Sequence, residues 1–172
     1  MKKLVTVVLS VIVFAVIGIA VFLSCKDNVY TDISSLTEKA REELPIADAE
    51  SIDISYAGQI KKDDKVLLWF ISGNEHQSHY YLPMECTLVG ENEYKFERTY
   101  KPITRSSDIA VLEWNNVYAF VVNDPDCKSV HIEGEGGAVD ESLKDKSYPY
   151  VFYYNGLPTE YEFFDADGQK IQ

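Results

Sequence analysis

The sequence predicts a mainly β protein, an antiparallel β-sandwich or open barrel, preceded by a transmembrane or signal helix and one short helix. Three observations support this prediction. A twenty-residue uncharged run follows two N-terminal lysines, one short stretch has helical spacing, and from residue 51 onward short apolar or alternating segments are separated by turn sequences. Eight to nine short strands with one helix in front favour a sandwich or barrel over a βαβ fold.

The first segment, residues 1–25, is predicted to be a membrane anchor or a lipoprotein-type signal. After Lys2 and Lys3, the run 4–23 contains no charge, and at about 1.5 Å per residue it spans a hydrocarbon core of roughly 30 Å. It is longer than the about 7–15 apolar residues of a cleaved secretory signal. Lysines before the run and an acidic chain after it place the N-terminus in the cytoplasm and the domain on the extracytoplasmic side of the cell membrane.

Cys25 offers an alternative to an uncleaved anchor. A basic start, an apolar run, a small residue and then cysteine resembles a bacterial lipoprotein leader, in which the cysteine becomes the lipidated first residue of the mature protein. Ser24 and Cys25 match that pattern, whereas Phe22 and Leu23 stand where it usually has Leu, Val or Ile and then a small or β-branched residue. The resemblance implies lipidation of Cys25, the mismatches favour the uncleaved anchor, and cleavage with release is the third alternative.

The remaining chain divides into a short polar tether, residues 26–33, and one exported β-rich domain, residues 34–172. Fully extended, a tether of this length reaches at most about 29 Å, so the domain stays near the bilayer. Two of the 16 basic residues lie in the leader, which leaves 14 against 28 acidic residues, a net charge of −14. This charge argues against nucleic acid as a partner, because binding it rests on phosphate neutralisation by Lys and Arg. The sequence indicates no cofactor.

Residues 34–45 are predicted to form the short helix. Ser35 followed by Glu38 suits a capping box, and Pro45 marks the end of the helix. The apolar residues form only a narrow stripe, so the helix is expected to rest against the domain rather than to form its core. The stripe consists of Leu36, Ala40 and Leu44.

The strands are predicted from their period and from the turns between them. Residues 51–56 alternate strictly, as a half-buried strand requires, whereas 66–71 read VLLWFI and fit a strand buried on both faces. The other predicted strands are 78–88, 93–101, 108–114, 117–123, 128–133, 149–154 and 161–165. The acidic stretch 134–147, with two adjacent glycines, is predicted to be a long loop, either mobile or functional.

Two pairings inside the domain are predicted from residue placement. If Cys25 carries a lipid, Cys86 and Cys127 remain as an even pair that a disulfide can join in an oxidising compartment, and the alternative is two separately buried thiols. Arg98 and Glu113 each fall on the apolar face of a predicted strand, so the two could form a buried ion pair. The alternative is that this part of the sheet faces water at its edge.

Three groups of residues invite a chemical interpretation. His76 and His79 would lie on opposite faces of a strand, so a metal pair is not expected. Residues 165–168 fit a hairpin turn better than a calcium loop. Cys127 and His131 would lie about 13 Å apart on a strand, which is too far for a nucleophile and its general base.

Twelve tyrosines are the remaining unusual feature of the composition. Residues 148–154 alternate as a strand that places four aromatic residues on one face. These are Tyr148, Tyr150, Phe152 and Tyr154, whereas Val151 and Tyr153 face the other way. The aromatic residues are expected mainly in sheet packing, with the outward set as a candidate contact patch.

These patterns predict a membrane-tethered extracytoplasmic domain that binds or modulates an unidentified protein or ligand near the membrane. The alternative is a membrane-associated enzyme, such as a hydrolase, whose residues form no recognisable motif. The sequence contains no nucleophile elbow, phosphate-binding glycine loop or zinc-protease helix.

Overall fold

The computed structural model of the protein describes residues 28–45, 49–73, 79–104 and 108–171. Within these ranges the protein is mainly β with antiparallel sheets, consistent with a β-sandwich. The elements are β1 (Val29–Tyr30), α1 (Ile33–Glu42), a 3₁₀ turn (Ala49–Ser51), β2 (Ile54–Lys62), β3 (Lys65–Ser72), β4 (Tyr80–Gly90), β5 (Glu93–Thr99), β6 (Ile103–Thr104), β7 (Ile109–Trp114), β8 (Val117–Val122), β9 (Ser129–Gly134), β10 (Val139–Ser142), β11 (Tyr150–Asn155) and β12 (Pro158–Phe164).

The described strands form three antiparallel sheets. Sheet A has the order β1-β5-β4-β3-β2, with β6 beside β4; sheet B has the order β11-β8-β7; sheet C has the order β10-β9-β12. Residues 29–30, which the sequence places in the tether, form β1 and pair with β5. Two residues of the predicted tether therefore belong to sheet A, because their backbone groups complete its edge.

Strand β3 is buried on both faces, as its continuous apolar run predicts. Alternate residues of a strand point to opposite faces. Phe70 and its alternate neighbours pack beneath α1, whereas Trp69 and its neighbours pack against sheet B. The residues on the two faces are Val66, Leu68 and Phe70, and Leu67, Trp69 and Ile71. Full burial of each large apolar side chain contributes about 1.5–3 kcal/mol, so β3 organises the core on both sides.

Strand β8 repeats this arrangement in the next layer. Val121 faces the same cluster as Trp69, whereas Phe120 and Val122 face a cluster shared with sheet C. Sheet B is therefore the middle sheet, with sheet A and α1 on one side and sheet C on the other. A three-stranded sheet between two layers buries both of its faces, which explains why β8 is almost entirely apolar.

Helix α1 occupies Ile33–Glu42 and begins with a cap that the sequence analysis did not predict. Asp32 is the N-cap, and its carboxylate accepts a hydrogen bond from the Ser35 amide at 2.7 Å. The predicted capping box is wrong, since Ser35 lies inside the helix and Glu38 pairs with Arg41 at 3.2 Å instead. The predicted apolar stripe is confirmed, and it belongs to the buried cluster above sheet A. Its residues are Leu36, Ala40 and Leu44.

The stretch 134–147 contains strand β10, so the prediction of a long loop is wrong. Val139–Ser142 pairs with β9 over its whole length. Its sequence, VDES, has weak intrinsic strand propensity, and backbone pairing with β9 supplies the missing stabilisation. Charged residues are common on such edge strands because they discourage further strand pairing.

Among the described residues, no helix is long and apolar enough to cross a bilayer. The predicted anchor, the lipid attachment at Cys25 and the first residues of the tether lie outside the described residues, as does His76.

Candidate functional site

A small pocket lies between the edge strands of sheets B and C. Residues 152–155 of β11 form one wall, Val139 and Glu141 of β10 with Ile132 form the other, and Gly136 closes one end. Strands β10 and β11 are each at the edge of their sheet, so the pocket occupies the place where the two layers part. Its volume is about 130 Å³, well below the roughly 300–1,000 Å³ of pockets for drug-sized ligands.

Backbone contacts fix the closed end of this pocket. The Tyr154 hydroxyl donates to the carbonyl oxygen of Gly137 at 2.7 Å, and the Glu135 amide donates to the carbonyl oxygen of Leu157 at 3.1 Å. A β-carbon added at Gly136 would lie far less than 3.0 Å from the Asn155 carbonyl oxygen. The β9–β10 turn therefore packs directly on the β11–β12 connection, and a glycine is required at the contact.

Glu141 is the acidic residue of the pocket wall. It lies opposite Val130 in the β9–β10 register, and it accepts a hydrogen bond from the Tyr150 hydroxyl at 3.0 Å. Burial is the main cause that raises the pKa of Tyr150, and the bond to Glu141 raises it further. No Lys or Arg of the described residues forms an ion pair with Glu141. A carboxylate has about four acceptor positions, so this one retains capacity for a further donor.

The aromatic residues behind the pocket form a continuous set of ring contacts. Phe152 stacks on Phe120 with centroids 4.9 Å apart and on Tyr150 at 5.7 Å. Tyr161 meets Phe120 edge to face at 5.4 Å. Tyr148, Tyr150, Phe152 and Tyr154 pack in the cluster between sheets B and C, and Val151 packs on the opposite side, which confirms the predicted alternation. Such ring pairs add about 0.5–1.5 kcal/mol each beyond area burial, so these contacts stabilise this wall.

Exposed apolar side chains border the pocket, and two of them, Val139 and Tyr153, belong to its lining. Six large apolar side chains are exposed in the described part of the chain, and four of them belong to β10, β11, β12 and the β11–β12 connection. These four are Val139, Tyr153, Leu157 and Tyr161, exposed by 40%, 43%, 48% and 39%. Apolar groups gathered around a concave site are typical of interaction surfaces rather than of ordinary exterior.

The outer face of sheet C is acidic and centred on His131. Its Nδ1 lies 2.6 Å from Asp140 Oδ1 and its Nε2 lies 3.3 Å from Glu133 Oε1. These two carboxylates, Asp140 first, raise the pKa of His131 above its ordinary value because they stabilise the charged ring. Glu162 lies opposite His131 on β12 and pairs with Lys170. The three strands of sheet C together carry five carboxylates and no Lys or Arg.

We expect His131 to make stability depend on pH in the neutral range. Because its folded pKa lies above the ordinary histidine value of 6.5, its contribution is complete below pH 6.5 and is lost as pH rises through the folded pKa. The difference in melting temperature between the wild type and His131→Gln should therefore be larger at pH 6 than at pH 8.5. NMR titration of the ring should show a larger fall in pKa for Asp140→Asn than for Glu133→Gln. A constant difference in melting temperature across this pH range would contradict the expectation.

A second polar cluster lies between sheets A and B around Glu85, which is 8% exposed. Its Oε2 accepts hydrogen bonds from Tyr100 Oη at 2.6 Å, Arg98 Nη2 at 2.9 Å and Trp114 Nε1 at 3.0 Å. Burial by itself raises the pKa of Glu85, but these three hydrogen bonds outweigh burial and hold the pKa below its ordinary value. Since Trp114 belongs to sheet B, the carboxylate joins the two sheets.

The predicted ion pair between Arg98 and Glu113 is wrong. Arg98 pairs with Glu85, whereas Glu113 is exposed and accepts a hydrogen bond from the Tyr118 hydroxyl at 3.5 Å. The Arg98 side chain is 60% exposed, so its end of the pair faces water, as the alternative of a solvent-facing sheet edge predicts.

A β-bulge explains the error in the predicted face of Arg98. On β5, Phe96 lies opposite Cys86 and Arg98 lies opposite Glu85, which leaves Glu97 as an extra residue. An extra residue breaks the two-residue alternation of a strand. Arg98 therefore turns away from the α1 side, where Phe96 packs, and toward Glu85.

The predicted disulfide is not formed, and the two cysteines are separately buried thiols. Cys86 packs beneath α1 and Cys127 packs between sheets B and C. The core layer between sheets A and B separates them, whereas a disulfide requires α-carbons about 4.4–6.8 Å apart. Burial raises the pKa of Cys86 to about 12 and that of Cys127 to about 11.

The remaining chemical groups do not assemble into a reactive site in the described residues. The Cys127 thiol stays protonated near neutral pH, and the ring of His131 is held by Asp140 and Glu133, so the two do not act as nucleophile and base. His79 Nδ1 lies 3.3 Å from the Ser72 carbonyl oxygen. No group of three or more His, Cys, Asp or Glu in the described ranges could hold a metal ion.

The sequence predicted a turn at residues 165–168, and the structure confirms it. The Asp165 carboxylate accepts hydrogen bonds from the amides of Asp167 at 2.9 Å and Gln169 at 2.8 Å. Gly168 has φ +74°, a conformation that glycine adopts without steric cost.

Sequence reasoning found the aromatic wall of the pocket and missed the opposite wall. The alternation in 148–154 was a sufficient signal for β11, whereas Glu141 and Gly136 fell in a stretch predicted to be a loop. Comparison of the chain with protein-family models, with curated proteins and with solved structures found no match. The residues of the pocket are therefore the basis for a functional proposal.

Proposed function

We propose that the protein is a membrane-tethered extracytoplasmic binding domain that contacts a partner through the pocket between β10 and β11. The observation that carries the binding role is that four of the six exposed large apolar side chains of the described residues lie on β10, β11, β12 and the β11–β12 connection, and that two of them, Val139 and Tyr153, line this pocket. The tether is proposed from the uncharged run in residues 4–23. Either an uncleaved anchor or a lipid on Cys25 would keep the domain within reach of a partner at the bilayer surface.

The architecture suits a binding role because contacts within the fold hold the pocket walls in place. One wall is braced by the stacked rings of Phe120 and Phe152, and the closed end is held by backbone contacts to Gly136. A preformed site loses little conformational entropy when a partner binds. Because two residues of the proposed tether are part of β1, the maximum distance between the domain and the bilayer would be about 7 Å shorter than for a fully extended tether.

Site-specific photo-crosslinking in intact cells tests the binding role. A photoreactive amino acid at Tyr153, beside the pocket, is expected to capture one partner reproducibly, and competition with excess unlabelled protein should reduce the capture. The matched control is the same amino acid at Val89, which is 50% exposed on sheet A. Capture of the same proteins from both positions, or from neither, would argue against a partner site at the pocket.

The intact mass of the protein extracted from its native membrane tests the tether. It reports the N-terminus, any lipid on Cys25 and the state of Cys86 and Cys127 together. A mass of the full chain or of a lipidated chain beginning at Cys25 is expected. A shortened, lipid-free chain recovered from the soluble extracytoplasmic fraction would sink the proposal of a tethered domain.

A further inference from the structure

We propose that the pocket between β10 and β11 binds the cationic end of a Lys or Arg side chain carried by a basic segment of a protein partner. This inference rests on the proposed function and names the chemistry of the partner. It is argued from the size of the pocket, the charge of its wall, the field around it and the form of its rim.

The size of the pocket restricts its occupant to a small group. A volume of about 130 Å³ accommodates a few heavy atoms, whereas drug-sized ligands require roughly 300–1,000 Å³. The end of one long side chain fits this limit. A nucleotide, a sugar chain or an extended lipid does not.

The walls of the pocket are suited to a positive charge. Glu141 keeps free acceptor capacity, since its described partner is the Tyr150 hydroxyl at 3.0 Å. Phe152 and Tyr154 line the same space, and their apolar surface can pack on the methylene part of an inserted Lys or Arg side chain. A carboxylate beside an apolar lining therefore favours ammonium or guanidinium over an anion or a neutral polar group.

The electrostatic field around the pocket also favours a positively charged ligand. Sheet C carries five carboxylates and no Lys or Arg in its strands, and these charges attract a basic segment over a longer range than the pocket itself. Lys146 lies over the Tyr150 ring at 4.9 Å and also interacts with the Tyr150 hydroxyl. It is not part of the pocket wall and forms no ion pair with Glu141.

The exposed residues at the rim of the pocket favour a protein segment as the ligand over a free amine. Val139 and Tyr153 line the pocket and are 40% and 43% exposed, and a small amine would leave their apolar surface in water. Strand β10 is paired on one side by β9 and stands at the edge of its sheet, so its other side can pair with an extended segment. A basic segment could lie along this edge and insert one cationic side chain.

Methyl NMR of the full chain in nanodiscs tests the inference with defined probes. Nα-acetyl-lysine N-methylamide and Nα-acetyl-arginine N-methylamide, whose side chains are charged, are expected to cause saturable shifts of the Ile132 and Val139 methyl signals. The expected dissociation constants are about 1–10 mM. The neutral probe, acetyl-norleucine methylamide, should bind at least tenfold more weakly. If the neutral probe shifts these signals as much as the charged probes do, or if no probe shifts them, the inference is overturned by the wild-type protein alone.

Two variants localise the effect. Glu141→Gln removes the pocket charge with little change in volume, and we expect it to weaken binding of the lysine probe at least tenfold. Glu133→Gln is the matched control, because Glu133 lies on the outer face of sheet C, and it should weaken binding less than threefold. An equal loss of affinity in the two variants would show that the probe responds to the general acidic charge of sheet C, and it would overturn the proposal that the pocket binds the cation. Because this test uses purified protein, it can fail while crosslinking at Tyr153 succeeds, and the reverse.

Discussion

Replacing Glu85 with alanine is expected to lower the free energy of unfolding by about 3–4 kcal/mol. The change removes the acceptor that Tyr100, Arg98 and Trp114 share, and it leaves the Nε1 of Trp114 without a partner between two sheets. Trp114 is 2% exposed, so water cannot easily replace the lost bond. Urea denaturation of the full chain in detergent measures the effect.

The neighbours of Glu85 provide matched controls. Glu97 is a carboxylate on the adjacent strand whose side chain is 32% exposed, so Glu97→Ala should cost less than about 1 kcal/mol. Arg98→Ala should cost less than about 2 kcal/mol, because the Arg98 side chain is mostly in water and Glu85 keeps Tyr100 and Trp114 as donors. A loss for Arg98→Ala as large as that for Glu85→Ala would show that the ion pair, rather than the buried acceptor, stabilises this site.

The same carboxylate should contribute to acid sensitivity. Because the folded pKa of Glu85 lies below the ordinary glutamate value of 4.5, its contribution is present above pH 4.5 and is lost as pH falls through the folded pKa. The stability difference between the wild type and Glu85→Gln should therefore shrink below pH 4.5. A difference that stays constant down to pH 3 would contradict the role of the charged form.

Replacing Gly136 with alanine is expected to cost about 3 kcal/mol. The new β-carbon would lie far less than 3.0 Å from the Asn155 carbonyl oxygen and 3.0 Å from the Tyr154 hydroxyl, so backbone must move. Thermal unfolding measures the loss, and the methyl signals of Ile132 and Val139 should shift because the pocket end is displaced.

Gly90→Ala is the matched control for this substitution. A β-carbon at Gly90 would meet the flexible side chain of Glu93, which can swing away, so the cost should stay within about 0.5 kcal/mol. Gly136 and Gly90 both lie outside the left-handed conformations recorded for other glycines, so the comparison isolates crowding. A small cost at both positions would mean that the β9–β10 turn can move aside without loss.

Most of the strands could be predicted because the burial of one or both faces of a strand produces a regular pattern of apolar residues in the sequence. The VLLWFI run of β3 marks a strand covered on both faces, and the alternation in 148–154 marks one with different neighbours on each side. Strand β10 left no such mark, because its four residues depend on β9 for their conformation. The same holds for β1, whose two residues gain a partner in β5.

Side-chain partners were harder to predict than strands. Arg98 was assigned to the wrong face because one bulged residue, Glu97, shifts the alternation that the prediction assumes. The Cys86–Cys127 pairing was wrong for a different reason: each thiol occupies its own apolar layer, and the order of layers is not visible in local sequence.

The sequence alone determined that the chain is mainly β, that β3 is covered on both faces, and that aromatic residues 150, 152 and 154 share a side. These properties follow from hydrophobic period, which is local. The tertiary structure decided the three-sheet layering, the partner of Glu85 and the meeting of β10 with β11 that creates the pocket. These depend on contacts between residues far apart in the chain, where a single bulge or a backbone contact at a glycine fixes which side chains meet.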